Sequence, residues 1–284
     1  MDFSIILYIF VGAFGLVIGS FLNSVIFRLR SDESPFVGRS HCMNCQVDLE
    51  VIDLIPVLSF LFLRGKCRRC GARISWQYPI VEVTITVLAI LFFNRSFGYP
   101  VSVDSFTHLL PWLLLLHGFV AATALVAIFV TDLRDGIIPD AVTYPMIWFS
   151  ILMLMYIDII RHVSFFSFDS YAVRGLLAAL AVGLVFYAMV ALSHERWMGL
   201  GDVKMGFLLG LIVGYPGILL TLFIAYVGGA IISLGLLASG KKQLQSEVPF
   251  GTFLAVATLV TLLWGAPIIN AYWSLINGVS LHLI

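Results

Sequence analysis

Charge is what this sequence has least of. Lysine, arginine, aspartate and glutamate make up 11% of its 284 residues, against 61% for hydrophobic types, and the mean hydropathy is +1.04. A soluble domain usually carries about 25% charged residues. So few cannot coat a water-facing surface, and burial is limited by surface-to-volume scaling. Lipid is therefore the solvent for most of the chain. Basic and acidic residues balance at sixteen each, giving a formal net charge of +0. The basic footprint of a nucleic-acid-binding protein is missing, so no nucleic-acid partner is expected. The apolar run 3–27 has no basic segment before it and is too long for a signal-peptide core. It reads as a first transmembrane helix kept in the mature protein. No repeat and no low-complexity tract is visible.

About 20 apolar residues span a bilayer as a helix. That ruler predicts an all-α, polytopic transmembrane bundle of about eight spans, near 4–27, 78–94, 108–131, 141–160, 172–193, 203–214, 217–239 and 249–277. The sixth is short for a span. The eighth is expected to break at Gly265-Ala266-Pro267. A short helix that begins at a Gly-rich turn often marks a site inside the membrane.

The segment 28–77 differs in kind. It is polar and turn-rich, and it holds all four cysteines and eight of the sixteen lysines and arginines. Its middle, 51–63, is apolar but is interrupted by Asp53 and Pro56, which suits a small interfacial or folded loop domain. The division expected is 1–27 as first transmembrane helix, 28–77 as loop domain and 78–284 as transmembrane bundle. With 28–77 in the cytoplasm, alternation puts Arg134, Arg196, Lys204, Lys241 and Lys242 on the same side. Only Arg95, Arg161 and Arg174 fall opposite. The positive-inside rule accepts this thirteen-to-three ratio and rejects its inverse.

Two aspartates meet the cytoplasmic face in that topology. Asp132 ends the third span, and Asp202 follows Gly199-Leu200-Gly201 at the head of the sixth. A carboxyl pair suits peptide hydrolysis. One carboxylate activates water, and the other, protonated, polarises the carbonyl and later donates to the leaving amine. Two close carboxyls share a proton and titrate as a unit. Taken singly, each aspartate also reads as an ordinary helix-end residue, Asp202 as an N-cap. Asp135 and Asp140 read as turn and cap residues, Asp140 capping the fourth span. Ser20 and Asn23 read as hydrogen-bonding glue between helices. His194, Glu195 and Lys204 read as a wetted helix end.

The two units Cys42-Met43-Asn44-Cys45 and Cys67-Arg68-Arg69-Cys70 are 21 residues apart. Four thiolates at such spacing suit a tetrahedral structural zinc in a zinc-ribbon-like loop, and bound metal explains how about 50 residues with little core hold a shape. Two disulfides or four free thiols are the alternatives, and a reducing cytoplasm disfavours the disulfides.

Asp132-Leu133-Arg134-Asp135-Gly136-Ile137-Ile138-Pro139-Asp140 and Gly199-Leu200-Gly201-Asp202-Val203-Lys204 resemble the signature blocks of type IV prepilin peptidases, a GxGD-type aspartic protease family. The resemblance extends to Gly19-Ser20-Phe21-Leu22-Asn23, the cysteine loop and Pro249-Phe250-Gly251, nearly the whole chain. It implies Asp132 and Asp202 as catalytic pair. It also implies cleavage of a basic leader from prepilins or pseudopilins, after a Gly, at the cytoplasmic face of a bacterial inner membrane. A loop of this kind belongs to members that also methylate the new N-terminus with S-adenosylmethionine. Here it matches through Asp53-Leu54-Ile55-Pro56, Arg64-Gly65-Lys66-Cys67 and Tyr78-Pro79-Ile80-Val81-Glu82. No Gly-rich dinucleotide-type fingerprint is present, and the loop is too small for a Rossmann domain. Glu82 could face the amine or sulfonium. It reads equally as an interfacial carboxylate paired with a loop arginine. The rivals to this reading are a cation- or proton-coupled transporter and a zinc-stabilised scaffold without catalysis.

Overall fold

The computed structural model describes residues 3–30, 38–164, 166–239 and 249–277. Among them the chain is all-α, without a strand. The helices are α1 (Phe3–Arg30), α2 (Leu58–Phe62), α3 (Gln77–Phe97), α4 (Leu109–Asp135), α5 (Asp140–Ile160), α6 (Tyr171–Ser193), α7 (Leu200–Ala238) and α8 (Phe250–Asn277). Seven are long and apolar enough to cross a membrane, all but α2. Helix is what lipid demands, because every backbone N–H and C=O there must find its partner within the segment. The chain forms two compact units, Met1–Ala127 and Ile128–Ile284, and the division falls within α4.

In the first unit α1 and α3 run antiparallel in close contact. A Cβ on Gly15 would lie 2.7 Å from the Thr86 Cα, and one on Gly19 would lie 2.7 Å from the Glu82 Cα. Small residues let the two backbones touch where lipid supplies no hydrophobic drive. Asn23 does act as glue, donating from Nδ2 to the Tyr78 carbonyl at 2.9 Å. At the far end Tyr8 donates to Asn94 Oδ1, and Phe93 and Phe97 pack beneath it.

The second unit is built on α6, α7 and α8. Seven long helices stand where eight spans were expected, because α7 joins two of them. Gly214 (φ 60, ψ −177) and Tyr215 (φ −84, ψ 138) are non-helical and divide α7 into two limbs that match the sixth and seventh expected spans. Tyr226, twelve residues after Gly214, interacts electrostatically with Asp202, twelve residues before it. The second limb therefore folds back beside the first. The first limb is about 20 Å long at 1.5 Å per residue, short of the roughly 30 Å hydrocarbon core. A Cβ on Gly210 would lie 2.3 Å from the Ala179 N, so this limb rests backbone to backbone on α6. The expected break in the last span does not occur. α8 runs through Gly265-Ala266-Pro267 as one helix.

Asp158, fully buried at the end of α5, is not foreseen from the sequence. It accepts hydrogen bonds from Ser170 Oγ (2.6 Å), Tyr171 N (2.9 Å) and Ala172 N (2.9 Å), and so ties α5 to the open N-terminus of α6. First-turn N–H groups have no partner within their own helix, and a carboxylate there also complements the helix dipole.

The glycine contacts give a paired prediction. Gly210→Ala must move backbone and should destabilise by about 1–3 kcal/mol, the usual range for overpacking. Gly235→Ala meets nothing within 4 Å and should leave the melting temperature in detergent unchanged or raised. Equal melting temperatures for both variants would contradict this packing.

Candidate functional site

Asp132 lies inside the last turn of α4, not at its end, since the helix continues to Asp135. The turn closes through the Gly136 N–H on the Asp132 carbonyl at 2.9 Å, with Gly136 at φ 65. Asp140 is the first residue of α5 and Pro139 its N-cap, so Asp140 is not the cap expected. It pairs instead with Lys204 Nζ, which also lies 5.6 Å from the Tyr144 ring centre. Gly199 is the N-cap of α7, so Asp202 belongs to the first turn and is not itself the cap.

The structure brings Asp132 and Asp202 together. Their carboxyls are close enough to interact electrostatically. Asp132 is only 5% exposed. The backbone N–H of Thr252 serves its carboxyl, while Oδ2 is buried without a partner among the described residues. Gly251 borders the same oxygen, and a Cβ there would lie 2.8 Å from Oδ2 and 3.0 Å from Cγ. The pair is thus framed by the end of α4, the start of α7, Tyr226 on the returning limb and the start of α8. Sequence reading singled out the aspartates and Pro249-Phe250-Gly251. It missed Thr252 and Tyr226, whose signal exists only once α7 folds back and α8 begins beside Asp132. A buried carboxyl oxygen without a protein donor, next to a second carboxyl, is chemically equipped to hold a water or a polarised carbonyl.

The four cysteines form a second site, in the first unit. Their sulfurs all lie within 4.8 Å of one another, and Cys42 and Cys70 Sγ are 3.8 Å apart. Tetrahedral ligands about 2.3 Å from one metal ion would be about 3.8 Å apart, so the set fits a metal. Two matching turns build it. In one, Cys42 N–H bonds the Val47 carbonyl, Gln46 N–H bonds the Cys42 carbonyl, and His41 bridges Asp48. In the other, Cys67 N–H bonds the Ala72 carbonyl, Gly71 N–H bonds the Cys67 carbonyl, and Lys66 bridges Arg73. This repeat of conformation is invisible as a repeat of sequence. N–H donors tune the sulfurs. The Ala72 N–H, then the Asn44 amide, bring the Cys70 thiol down to about 6. The Cys45 and Asn44 N–H groups lower Cys42. Val47 N–H pulls Cys45 down, but desolvation and the Cys42 and Cys70 sulfurs push it up to about 11. Crowded thiols oppose one another's ionisation, and a shared cation removes that opposition.

Glu82 is 7% exposed on α3. Among the described residues no arginine forms an ion pair with it. Its Oε2 accepts the Val57 N–H at 2.7 Å, beside the Ser20 hydroxyl. Val57 holds φ 59, an outlier for a β-branched residue. The carboxylate therefore pins a strained turn of the segment between the cysteine pairs.

The matching turns predict an asymmetry. Gln46 holds φ 57 where its counterpart is Gly71 at φ 71. Gln46→Gly should leave the four thiols as protected from a thiol reagent, or more so. Gly71→Val should cost about 1–2 kcal/mol of left-handed strain and speed their modification. The reverse order would contradict the two-turn geometry.

A model of the bacterial peptidase A24 N-terminal domain matches residues 13–96, and a model of the type IV leader peptidase family matches residues 119–234. Among curated proteins, the prepilin leader peptidase/N-methyltransferase of Aeromonas hydrophila is 31% identical, with 91% of each chain covered. That of Legionella pneumophila is 29% identical over 94% of each chain. That of Bacillus subtilis (strain 168) is 30% identical over 93% of this chain and 97% of its own. No solved structure matches the chain. The matches cover both units, and in the second they take in Asp132 and Asp202; the chain belongs to the type IV leader peptidase family and is a membrane-embedded peptidase.

Proposed function

We propose that Asp132 and Asp202 are the catalytic pair of an endopeptidase that removes the leader of prepilins or pseudopilins, cutting after a glycine and before a hydrophobic stem. The observation that carries this is the placement of Asp132. Its carboxyl is buried within electrostatic reach of that of Asp202, with Oδ2 free of donors among the described residues. The names of the similar proteins agree with the substrate class.

Asp132, with the Thr252 N–H at hand, is assigned the base, and Asp202 the acid. Asp132 takes a proton from water as its oxygen attacks the scissile carbonyl, while the Asp202 O–H donates to the carbonyl oxygen. Collapse of the tetrahedral intermediate breaks the C–N bond: the proton held on Asp132 passes to the leaving amine, and the hydroxyl formed from the carbonyl returns its proton to Asp202 as the C=O reforms. Gly251 leaves Asp132 room to hold that position.

The charge asymmetry supports a pair facing the cytoplasm of a bacterial inner membrane. Lys241 and Lys242, counted in that asymmetry, lie outside the described residues. The reading includes one structural zinc on Cys42, Cys45, Cys67 and Cys70, which suits a closed site with no open coordination position. It also includes N-methylation of the new terminus, with S-adenosylmethionine as methyl donor. Glu82 is already bonded to Val57 in this form of the molecule. A contact between Glu82 and the donor's sulfonium requires that bond to open.

Three measurements test the proposal. Asp132→Asn and Asp202→Asn should each slow prepilin cleavage about a thousandfold, or about 4 kcal/mol of transition-state stabilisation. Asp140→Asn should keep substantial activity. The product's N-terminus and mass report both reactions, at matched amounts of folded enzyme. Near wild-type cleavage by either Asn variant removes the dyad. Gly251→Ala should also lower the turnover rate, because its Cβ would strike the Asp132 carboxyl. Elemental analysis should find about one zinc per chain, and Cys42→Ser with Cys45→Ser should impair methylation more than cleavage. Equal loss of both would make the cysteine site a support for the whole enzyme.

A further inference from the structure

Of the apolar segment 51–63 between the two cysteine turns, only the Val57 N–H, which holds Glu82, enters the chemistry above. It forms a 3-10 turn, Val51–Leu54, followed by α2. Two hydrogen bonds set its depth. The Leu54 carbonyl accepts from Ser20 Oγ on α1 at 3.5 Å, and the Val57 N–H donates to Glu82 on α3 at 2.7 Å. Ser20 precedes Arg28 on α1 by eight residues, about 12 Å of helix. Glu82 follows Trp76 by six, about 9 Å. Arg28 and Trp76 mark the polar end of the two spans, and an exposed indole at a helix head is an interfacial anchor. Leu54 and Val57 therefore hang below the boundary drawn by both markers.

At that level the side chains point the wrong way for water. Val51 is 84% exposed and Phe62 83%, and Ile52, Leu58 and Leu61 are also exposed. Phe60 alone turns inward, against Gly65 and the Trp76 ring. Backbone groups at this depth need partners, and the 3-10 turn, α2 and the Ser20 and Glu82 contacts supply them to Asp53, Leu54, Val57, Leu58, Ser59 and Leu61. Cations follow the segment. Arg68 and Arg69 pair with Asp53 and Glu50. Arg64, Lys66 and Arg73 are exposed and have no ion pair among the described residues.

We propose that residues 51–63 are a re-entrant lipid anchor. Val51, Ile52, Leu58, Leu61 and Phe62 lie among acyl chains just below the headgroups, and Arg64, Lys66 and Arg73 take the phosphates of anionic phospholipid. Apolar burial and basic–anionic attraction together hold interfacial segments of this composition. The bilayer thereby becomes a third support for the cysteine turns, beside α1 and α3. The anchor does not depend on the identity of the substrate or the metal.

The test uses the full-length protein in lipid nanodiscs, with a photoreactive diazirine amino acid in place of Leu58, Phe62 or, as control, Arg69. After illumination, intact mass should show phospholipid adducts at positions 58 and 62 and water adducts at 69. Water adducts at 62, or a crosslink to a second protein chain, would overturn the anchor. In discs of mixed phosphatidylcholine and phosphatidylglycerol, adducts at 62 should be enriched several-fold in phosphatidylglycerol. A variant with Arg64→Gln, Lys66→Gln and Arg73→Gln should lose that enrichment while keeping lipid adducts. Undiminished enrichment in a variant with native helix content would overturn the headgroup assignment.

Discussion

A carboxylate cannot be left unpaired in hydrocarbon, and the chain meets that constraint with backbone N–H groups. Isolated polar groups at membrane depth are expensive. Asp158 receives Tyr171 N and Ala172 N, Glu82 receives Val57 N, and Asp132 receives Thr252 N. Each contact ties a carboxylate to a chain segment it would not otherwise touch: α5 to α6, α3 to the loop segment, α4 to α8. Acids that look like liabilities in the sequence become joints of the fold.

The same constraint explains what remains open. Asp158 is saturated, with three donors on two oxygens, and reads as structural. Among the described residues Asp132 has one backbone donor, one oxygen without a partner and a second carboxyl within electrostatic reach. Two buried acids of the same type are therefore satisfied to different degrees, and the number of donors aimed at each separates them. Glu82 is intermediate. It is engaged, but by a residue held in a strained turn, where stored strain is a recurrent property of functional segments.

Backbone proximity is the second theme. Gly15 and Gly19 seat α1 on α3, and Gly210 seats the first limb of α7 on α6. Gly251 lets the start of α8 stand against Asp132. The first three serve packing without a hydrophobic drive. The fourth leaves room for a carboxylate, since a Cβ there would lie 2.8 Å from Asp132 Oδ2.

Much of this was legible in the order of residues. Long apolar runs fix helices wherever lipid is the solvent. Lysine and arginine at their ends bias orientation, and paired C-x-x-C units at a short interval collect four sulfurs. Asp132 and Asp202 stood out as a pair, because the topology drawn from charge puts both at one face and their flanking residues resemble two signature blocks, whereas each taken singly reads as an ordinary helix-end residue. Local sequence could not say that Gly214 and Tyr215 would turn α7 back on itself, since a Gly–Tyr–Pro step permits a kink, a hairpin or a loop. Nor could it place Thr252 at Asp132, over a hundred residues away, or show that Gly265-Ala266-Pro267 would stay helical. Nor did Asp158 announce a cap for a helix twelve residues on. Those outcomes depend on which N–H groups are left over once the helices have packed. Leftover donors are a property of the assembled backbone, and only the tertiary structure assigns them.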